Sequence, residues 1–412
     1  MNNRYNSAQE IYSSVGADTE AAMRTLAQLP ISIHCWQGDD VMGFEGGTGL
    51  TGGIQTTGNY PGRARTPEEL MSDIDMALSL IPGKHRLNLH ASYAITAGAP
   101  VDRDELQPRH FEPWVIFAKE RGLGLDFNPT FFSHPKAQDA TLSSEDPEIR
   151  AFWINHCRAC VHIAEYFASE LGTPSLLDIW VPDGFKEIPA DRTGPRARLK
   201  DSLDQILSEP YDKSKVIIAV ESKVFGIGME SYTVGSHEFY MNYAAKNNIL
   251  CLLDNGHYHP TESVADKIPS MLLFQDKIAL HVTRSVRWDS DHAILYDDET
   301  RELAREIVQA GIDKVILATD FFDASINRIA AWVIGVRSLQ KALLNALLMP
   351  HGRMRQLQNE RRFTELLALK EELKLYPIGD IWNQFCTLEN VPADMAWLDL
   401  VLQYEKTNKR DC

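Results

Sequence analysis

From residue 31 onward, short apolar runs rich in β-branched residues alternate with longer segments whose apolar residues recur at helical spacing. Strands that alternate with helices form a parallel sheet, because each helix returns the chain to the edge where the next strand begins. Eight runs have this character: residues 31–36, 86–93, 123–129, 175–182, 216–223, 249–257, 278–282 and 314–320. Seven helical segments between them and an eighth over Ile326–Leu344 predict an α/β fold, a (β/α)₈ TIM barrel.

A doubly wound parallel sheet is the alternative architecture. It would be expected to carry a glycine-rich nucleotide loop after one of its strands. The sequence has no G-x-G-x-x-G after a strand and no G-x-x-x-x-G-K-[ST], and the nearest segment, residues 225–228, lacks the third glycine. The barrel is therefore preferred.

The charge balance restricts the partners of the chain. Its 412 residues include 41 Lys and Arg against 57 Asp and Glu, which gives a formal net charge of −16. Nucleic acids and anionic membranes are bound by basic surfaces, so the acid excess argues against both. No apolar run approaches the roughly 20 residues that span a bilayer, and the first residues do not form a signal peptide. With only six cysteines, we expect a cytoplasmic protein with unpaired thiols.

A glycine-rich stretch and the C-terminal part fall outside the alternation. Residues 43–62 hold eight of the 25 glycines and follow the first strand, which favours a mobile lid over a passive connection. Residues 346–412 are charged and helical, and they predict an extension that packs on the barrel or on another subunit. The predicted division is thus a barrel domain over residues 1–345 and a helical C-terminal extension over 346–412, an oligomerisation arm. One apolar stripe of the extension contains Phe363, Leu366, Leu367 and Leu373.

Ionisable side chains are concentrated at the carboxyl ends of the predicted strands, where barrels of this type place their chemistry. So many acidic groups would repel one another unless a cation neutralised them. Histidine combined with several carboxylates is a ligand set suited to Mn²⁺, Mg²⁺, Co²⁺ or Zn²⁺. Seven candidate ligands are too many for one ion and suit two divalent ions that share a carboxylate; they are Glu221, Asp254, His257, His281, Asp289, Asp291 and Asp320.

The remaining strand-end residues have less specific interpretations. His34 is expected to be a hydrogen-bonded core histidine, and Asp183 a turn residue before Gly184.

Lys223 follows Glu221 by two residues and therefore shares its face of the strand. It either stabilises charge on a substrate oxygen or forms a structural ion pair with Glu221. Polar strand-end residues also include His90, Asp126 and Asn128. The aromatic residues Trp36, Tyr93, Phe131, Trp180 and Trp288 form an apolar wall against a sugar or belong to the barrel core.

Several longer strings are more specific than any single residue. They are HCWQGDDV (34–41), TGGIQTTGNYPG (51–62), LNLHASY (87–93), LDFNPTFFSHP (125–135), VESKVFGIG (220–228), DNGHYHPTE (254–262), VRWDSDH (286–292) and DFFDASINRIAAW (320–332). With these strings the chain resembles the L-rhamnose isomerase family over nearly its whole length. The resemblance implies a metal-dependent aldose–ketose isomerase that interconverts L-rhamnose and L-rhamnulose, the first step of rhamnose catabolism, on a barrel similar to that of xylose isomerase, assembled as a homotetramer.

The resemblance also implies roles for the ligands. His257, Asp289 and Asp291 would hold a catalytic ion, with Mn²⁺ expected and Zn²⁺, Co²⁺ or Mg²⁺ as alternatives. Asp254 would bridge it to a structural ion held by Glu221, His281 and Asp320. In the string DFFD the ligand is either Asp320 or Asp323, and Asp320 is preferred because it ends the apolar run.

Two chemical routes could move the carbonyl from C1 to C2. In a metal-assisted 1,2-hydride shift, the proton of O2 is removed near Asp289 and Asp291, and Lys223 stabilises charge on O1. His90 assists ring opening or contacts O5. In an enediol route, a carboxylate or His90 acts as the base. The hydride shift is preferred because no carboxylate is obviously free of metal.

The residues expected to contact the sugar are Trp36, Phe131, Trp180 and Asp320. Isomerisation or epimerisation of mannose, lyxose or allose is the alternative function, and a metal-dependent endonuclease is less consistent with the acidic charge.

Overall fold

The computed structural model describes residues 3–46, 50–223, 226, 228–284, 286 and 290–410. Its strands in chain order are β1 (Ile31–His34), β2 (His85–His90), β3 (Gly124–Asn128), β4 (Ser175–Trp180), β5 (Gly184–Phe185), β6 (Val216–Glu221), β7 (Tyr232–Thr233), β8 (Leu250–Asp254), β9 (Ile278–Val282) and β10 (Val315–Thr319). Eight of them close into a barrel in the order β1-β10-β9-β8-β6-β4-β3-β2, and every pairing around it is parallel. The predicted TIM barrel is confirmed; β5 and β7 form a separate antiparallel pair.

Helices connect successive barrel strands, as the alternation in the sequence predicts. The α-helices are α1 (Asn3–Ser14), α2 (Thr19–Gln28), α3 (Pro67–Leu78), α4 (Glu112–Arg121), α5 (Pro147–Leu171), α6 (Thr193–Leu207), α7 (His237–Asn247), α8 (Val264–Met271), α9 (Asp298–Ala310), α10 (Arg328–Leu347), α11 (His351–Asn359), α12 (Phe363–Leu373), α13 (Ile378–Leu388) and α14 (Ala396–Thr407). Short 3₁₀ turns occupy Cys35–Gln37, Ala91–Tyr93, Arg103–Glu105, Pro108–Phe111, Pro135–Ala137 and Ile312–Lys314. No helix among the described residues is long and apolar enough to cross a membrane.

The barrel interior changes from apolar to polar along the strand direction. Successive side chains of a strand alternate between its two faces, so residues two apart share the interior. Leu176, Ala219, Leu252 and Ala279 form one buried apolar cluster. Two residues further along the same strands stand Asp178, Glu221, Asp254 and His281. The apolar layer therefore supports a polar layer at the carboxyl ends of the strands.

The opposite end of the barrel contains a buried ion pair. The guanidinium of Arg86 donates to both carboxylate oxygens of Asp126, at 2.9 and 2.8 Å, and also to the carbonyl of Pro174, just before β4. Gly124 makes room for it, since a Cβ at that position would lie 2.1 Å from Arg86 Nη1. Asp126 also accepts hydrogen bonds from Ser32 Oγ and Leu176 N. The strand-end grouping of Asp126 in the sequence was therefore wrong: its side chain closes the amino-terminal end of the barrel.

The C-terminal helices contact the outside of the barrel. On α14, Tyr404 donates to Asp73 of α3 at 2.9 Å, and beyond the helix Arg410 pairs with the same carboxylate at 2.5 Å. The expected apolar stripe is only half covered within this chain. Leu366 and Leu373 are buried, but the side chains of Phe363 and Leu367 remain 59% and 61% exposed.

Candidate active site

Four of the predicted ligands lie on, or directly after, four neighbouring strands of the barrel. Glu221 ends β6, Asp254 ends β8, His281 lies on β9 and Asp320 follows β10, and these strands are consecutive around the barrel. The register pairs Asp254 with His281, so both side chains lie at the same height. The parallel geometry therefore brings together residues that are up to about a hundred positions apart in the sequence.

The ligand-type atoms of these residues lie close together. In each of three overlapping groups, one atom per residue lies within 4.8 Å of the others; the groups are Asp178, Glu221 and His281, then Glu221, Asp254 and His257, and finally Asp254, His281 and Asp320. His281 Nδ1 is 3.2 Å from Glu221 Oε2 and 3.5 Å from Asp320 Oδ2. Glu221 and Asp254 are each buried to within 2% of full burial. Six residues thus form one cluster of carboxylates and imidazoles, in which only Asp320 is partly exposed.

The orientation of His257 suits a metal ligand. Its Nδ1 lies 2.8 Å from the carbonyl oxygen of Ser222. Because a carbonyl only accepts hydrogen bonds, the proton of a neutral ring sits on Nδ1 and the lone pair on Nε2. Metal-binding histidines commonly have this arrangement, in which a backbone carbonyl fixes the tautomer.

The electrostatics of the cluster also point to a cation. Burial raises the pKa of Asp254 to about 8, and the neighbouring Glu221 and Asp320 add to the effect. Burial together with Glu221 raises the pKa of Asp178 well above its usual range. Burial alone would lower the pKa of His281, but Glu221 and Asp320 raise it well above the ordinary value. Each shift reflects negative charge crowded into a space from which water is excluded.

Unpartnered oxygens test whether divalent ions fit here. Within the described part of the chain, Asp178 Oδ1 and Asp254 Oδ2 are buried without a hydrogen-bond partner. Buried polar atoms are nearly always paired, and a buried charge needs a counter-charge. Carboxylate oxygens and imidazole nitrogens are the ligands of Mn²⁺ and Zn²⁺. The residues present therefore fit divalent metal ions.

Asp178 is the member of the cluster that the sequence analysis missed. Asn128 Nδ2 donates to its Oδ2 at 3.0 Å, while Oδ1 belongs to the group with Glu221 and His281. The signal was present, because an aspartate in the run SLLDIW interrupts a strand that is otherwise apolar. A charged residue inside a strand of a closed barrel has no solvent to face and needs a partner.

A pocket opens above the cluster at the barrel mouth. It has about 470 Å³ of space not filled by protein atoms, part of it continuous with solvent. Its polar lining includes His90, Asn128, Glu221, Lys223, His257, Asp291 and Asp320, and its apolar lining includes Trp36, Val41, Ile54, Phe132, Trp180 and Phe322. Most of the predicted site residues thus meet in one cavity. Asp289 lies outside the described residues.

Phe131 is the expected sugar contact that the structure does not bring to the pocket. Its ring packs against Trp153 and His156, with centroids 5.5 and 5.6 Å away. The next residue, Phe132, lines the pocket instead and packs edge-on against His90 at 5.4 Å. The two neighbouring side chains therefore face different parts of the molecule.

Trp36 and Lys223 have defined positions in the pocket. The indole Nε1 of Trp36 donates to Asp320 Oδ1 at 2.8 Å, and its ring packs edge-on against His90 at 4.7 Å. Lys223 Nζ lies 5.1 Å from the centre of the Trp180 ring, within cation–π range. Trp36 therefore orients a carboxylate as well as forming part of the wall.

The remaining strand-end residues have structural partners. His34 Nδ1 contacts Thr319 Oγ1 at 2.9 Å and its Nε2 accepts from Phe321 N, so the expected core histidine is confirmed. Asp183 accepts hydrogen bonds from the backbone and hydroxyls of Thr141 and Ser143. Asp323 accepts from Ser325, whereas Asp320 faces the cluster. Of the two candidates in DFFD, the geometry favours Asp320.

Comparison with known proteins agrees with this geometry. Residues 1–410 match the family model of L-rhamnose isomerase (RhaA). The chain belongs to the L-rhamnose isomerase family. It is 56% identical over 405 residues to an L-rhamnose isomerase of Mannheimia succiniciproducens, covering 98% of this chain and 97% of the relative. It is 55% identical over 402 residues to the enzyme of Yersinia pseudotuberculosis, with coverages of 97% and 96%.

A solved structure of L-ribulose 3-epimerase shares the fold. It superposes with a TM-score of 0.50 and 12% sequence identity, over 82% of this chain and 97% of that one. At this level of identity the likeness concerns the barrel only. Membership of the family therefore rests on the sequence matches, and the site on the geometry described above.

Proposed function

We propose that this chain interconverts L-rhamnose and L-rhamnulose as a metal-dependent aldose–ketose isomerase. The observation that supports this most directly is a pocket with a buried cluster of carboxylates and imidazoles at its floor, in a chain of the L-rhamnose isomerase family. Apolar side chains line part of the same pocket, as a deoxysugar with a methyl group requires.

Two divalent ions per subunit, with Mn²⁺ expected, are the cofactors of this proposal. Glu221, Asp254, His281 and Asp320 would hold the deeper ion. His257 would hold the other ion together with Asp289 and Asp291 and the shared carboxylate of Asp254. Bound there, the ions would polarise O1 and O2 of the open-chain sugar.

The protein side chains supply charge, orientation and exclusion of water. Lys223 carries a positive charge that stabilises negative charge on O1. Burial lowers the pKa of His90 to about 4, so the ring is neutral near pH 7 and able to bind a sugar hydroxyl or the ring oxygen. Trp36, Phe132 and Trp180 cover the apolar side of the sugar. No carboxylate of the cluster stands apart from the others as a free base, which supports hydride transfer from C2 to C1.

A single assay tests both the substrate and the route. With Mn²⁺ present, L-rhamnose should be converted to L-rhamnulose, and chelation with EDTA should abolish the reaction. In deuterated water the product should carry almost no solvent deuterium at C1, because a transferred hydride does not exchange. Full incorporation of deuterium would contradict the hydride shift, and cleavage of abasic DNA without sugar isomerisation would contradict the function.

Gly226 provides a test of the role of Lys223. A Cβ at residue 226 would lie 2.6 Å from Cε of Lys223, so an alanine would force the ammonium group to move. Gly226→Ala is expected to lower kcat by about tenfold to a hundredfold while Mn²⁺ stoichiometry is retained, because misplaced charge loses transition-state stabilisation. Gly352→Ala, where a Cβ has open space, is the control. Normal kcat in Gly226→Ala would show that catalysis does not depend on the exact position of the Lys223 side chain.

The proposal extends to assembly and location. We propose a homotetramer, with residues 346–412 as a helical arm distinct from the barrel of residues 1–345. The exposed side chains of Phe363 and Leu367 support a subunit contact there. The net charge of −16 and the unpaired, buried Cys35, Cys157, Cys160, Cys251 and Cys386 support a cytoplasmic protein that does not bind nucleic acid.

A further inference from the structure

Two loops face each other at the rim of the candidate active site. The glycine-rich loop over residues 43–62 contributes Gly53 and Ile54 to the pocket lining. The loop after β3 contributes Phe132. Neither loop belongs to the barrel, so something other than strand pairing must fix the distance between them.

The side chain of Arg103 contacts both loops. Its side chain is only 3% exposed, and it forms a two-pronged ion pair with Glu45 of the glycine-rich loop, with Nη2 2.6 Å from Oε2. The Nε atom also lies within 3.2 Å of both oxygens of that carboxylate. On the other side, Nη1 donates to the carbonyl oxygens of Thr130 and Phe132, at 2.7 and 2.5 Å. One buried guanidinium thus binds both loops.

A second set of contacts links the same loops nearer to the pocket. Ser133 N donates to Thr51 Oγ1 at 2.6 Å, and Thr51 N donates to Ser133 Oγ at 3.2 Å. Gly52 packs so closely that a Cβ there would lie 2.8 Å from Cβ of Phe132. The two loops are therefore in contact at Thr51 and Gly52, in addition to the ion pair at Glu45.

We propose that Glu45 and Arg103 are positioning residues for sugar binding, which act through Ile54 and Phe132. Neither residue is among those that line the pocket, so neither touches the reacting atoms. Their ion pair sets the separation of two pocket walls that contact the sugar equally in the bound state and in the transition state. Loss of such uniform binding raises KM and leaves kcat unchanged. The inference rests on the proposed isomerase function.

Glu45→Gln is the most informative variant, because it keeps the size of the side chain and removes the charge. We expect KM for L-rhamnose to rise about tenfold with kcat within about twofold, which corresponds to one lost charge-assisted hydrogen bond. Mn²⁺ stoichiometry should be unchanged. Glu170→Gln, which removes the surface ion pair with Lys119 at 2.5 Å, is the matched control and should change neither constant.

Hydrogen exchange gives a readout that does not depend on activity. In Glu45→Gln, backbone amides of residues 51–54 and 130–133 should exchange faster, while those of the barrel strands should not. Inactive wild-type protein would refute the function, whereas an active wild type with unchanged KM in Glu45→Gln would refute the positioning role. Unchanged exchange in both segments would also overturn it. A parallel loss of kcat and bound Mn²⁺ would assign the pair to overall structure instead.

Discussion

Replacing Glu221 with glutamine is expected to lower kcat/KM for rhamnose isomerisation by about three orders of magnitude. Glu221 belongs to two of the three overlapping groups, with His257, His281 and Asp178 all close to its carboxylate. Glutamine has the same shape but no charge, so the deeper ion would lose one of its anionic ligands. A metal that polarises the substrate supplies several kcal/mol of transition-state stabilisation, and about 4 kcal/mol corresponds to a thousandfold change in rate.

Metal content distinguishes this loss from misfolding. Glu221→Gln should bind less Mn²⁺ per subunit by calorimetric titration, and its circular dichroism should match that of the wild type. Glu209→Gln is the control, since that carboxylate forms a surface pair with Arg158 at 3.1 Å. If Glu221→Gln bound Mn²⁺ with wild-type affinity and stoichiometry, the assignment of the deeper site would be wrong.

Replacing Asp126 with asparagine is expected to destabilise the protein by about 3–5 kcal/mol without changing kcat per folded molecule. The variant leaves the guanidinium of Arg86, whose side chain is 13% exposed, without its anionic partner. Removing one member of a buried ion pair is costly because the remaining charge stays in a region of low dielectric constant. The pair lies at the amino-terminal end of the barrel, away from the pocket, so the chemistry should be unaffected.

Denaturant unfolding in saturating Mn²⁺ measures this effect. Asp75→Asn breaks the ion pair with Arg121, where the side chains are 47% and 27% exposed, and should cost less than about 1 kcal/mol. Equal destabilisation by the two variants would show that burial does not control the contribution of the Arg86–Asp126 pair. Loss of kcat in Asp126→Asn would show that the two ends of the barrel are coupled.

The fold could be predicted because each barrel strand lies in a short, mainly apolar run, and helical segments separate these runs. The run IALHV coincides with β9, and the others differ from the observed strands by a few residues at their ends. After β1, for example, Cys35 and Trp36 are apolar but belong to a 3₁₀ helix. Hydrophobicity marks burial in this region and does not mark where strand pairing stops.

Membership of the buried cluster was predictable where a residue ends a strand and was less so elsewhere. Glu221, Asp254 and Asp320 follow apolar runs directly, and this position made them candidates. Asp178 was missed because it lies within a run, and Asp126 was misplaced because the sequence does not reveal that Arg86 shares the barrel interior with it. Which of Phe131 and Phe132 faces the pocket depends on the path of a loop, which residue types do not specify.

Anomalous diffraction from crystals grown with Mn²⁺ tests the central claim, that the strand-end cluster holds two divalent ions, most directly. The account predicts two peaks at the barrel mouth. One should contact Glu221, Asp254, His281 and Asp320, and the other should contact His257 and share Asp254. No peak at the barrel mouth, or peaks only at surface carboxylates, would contradict the claim.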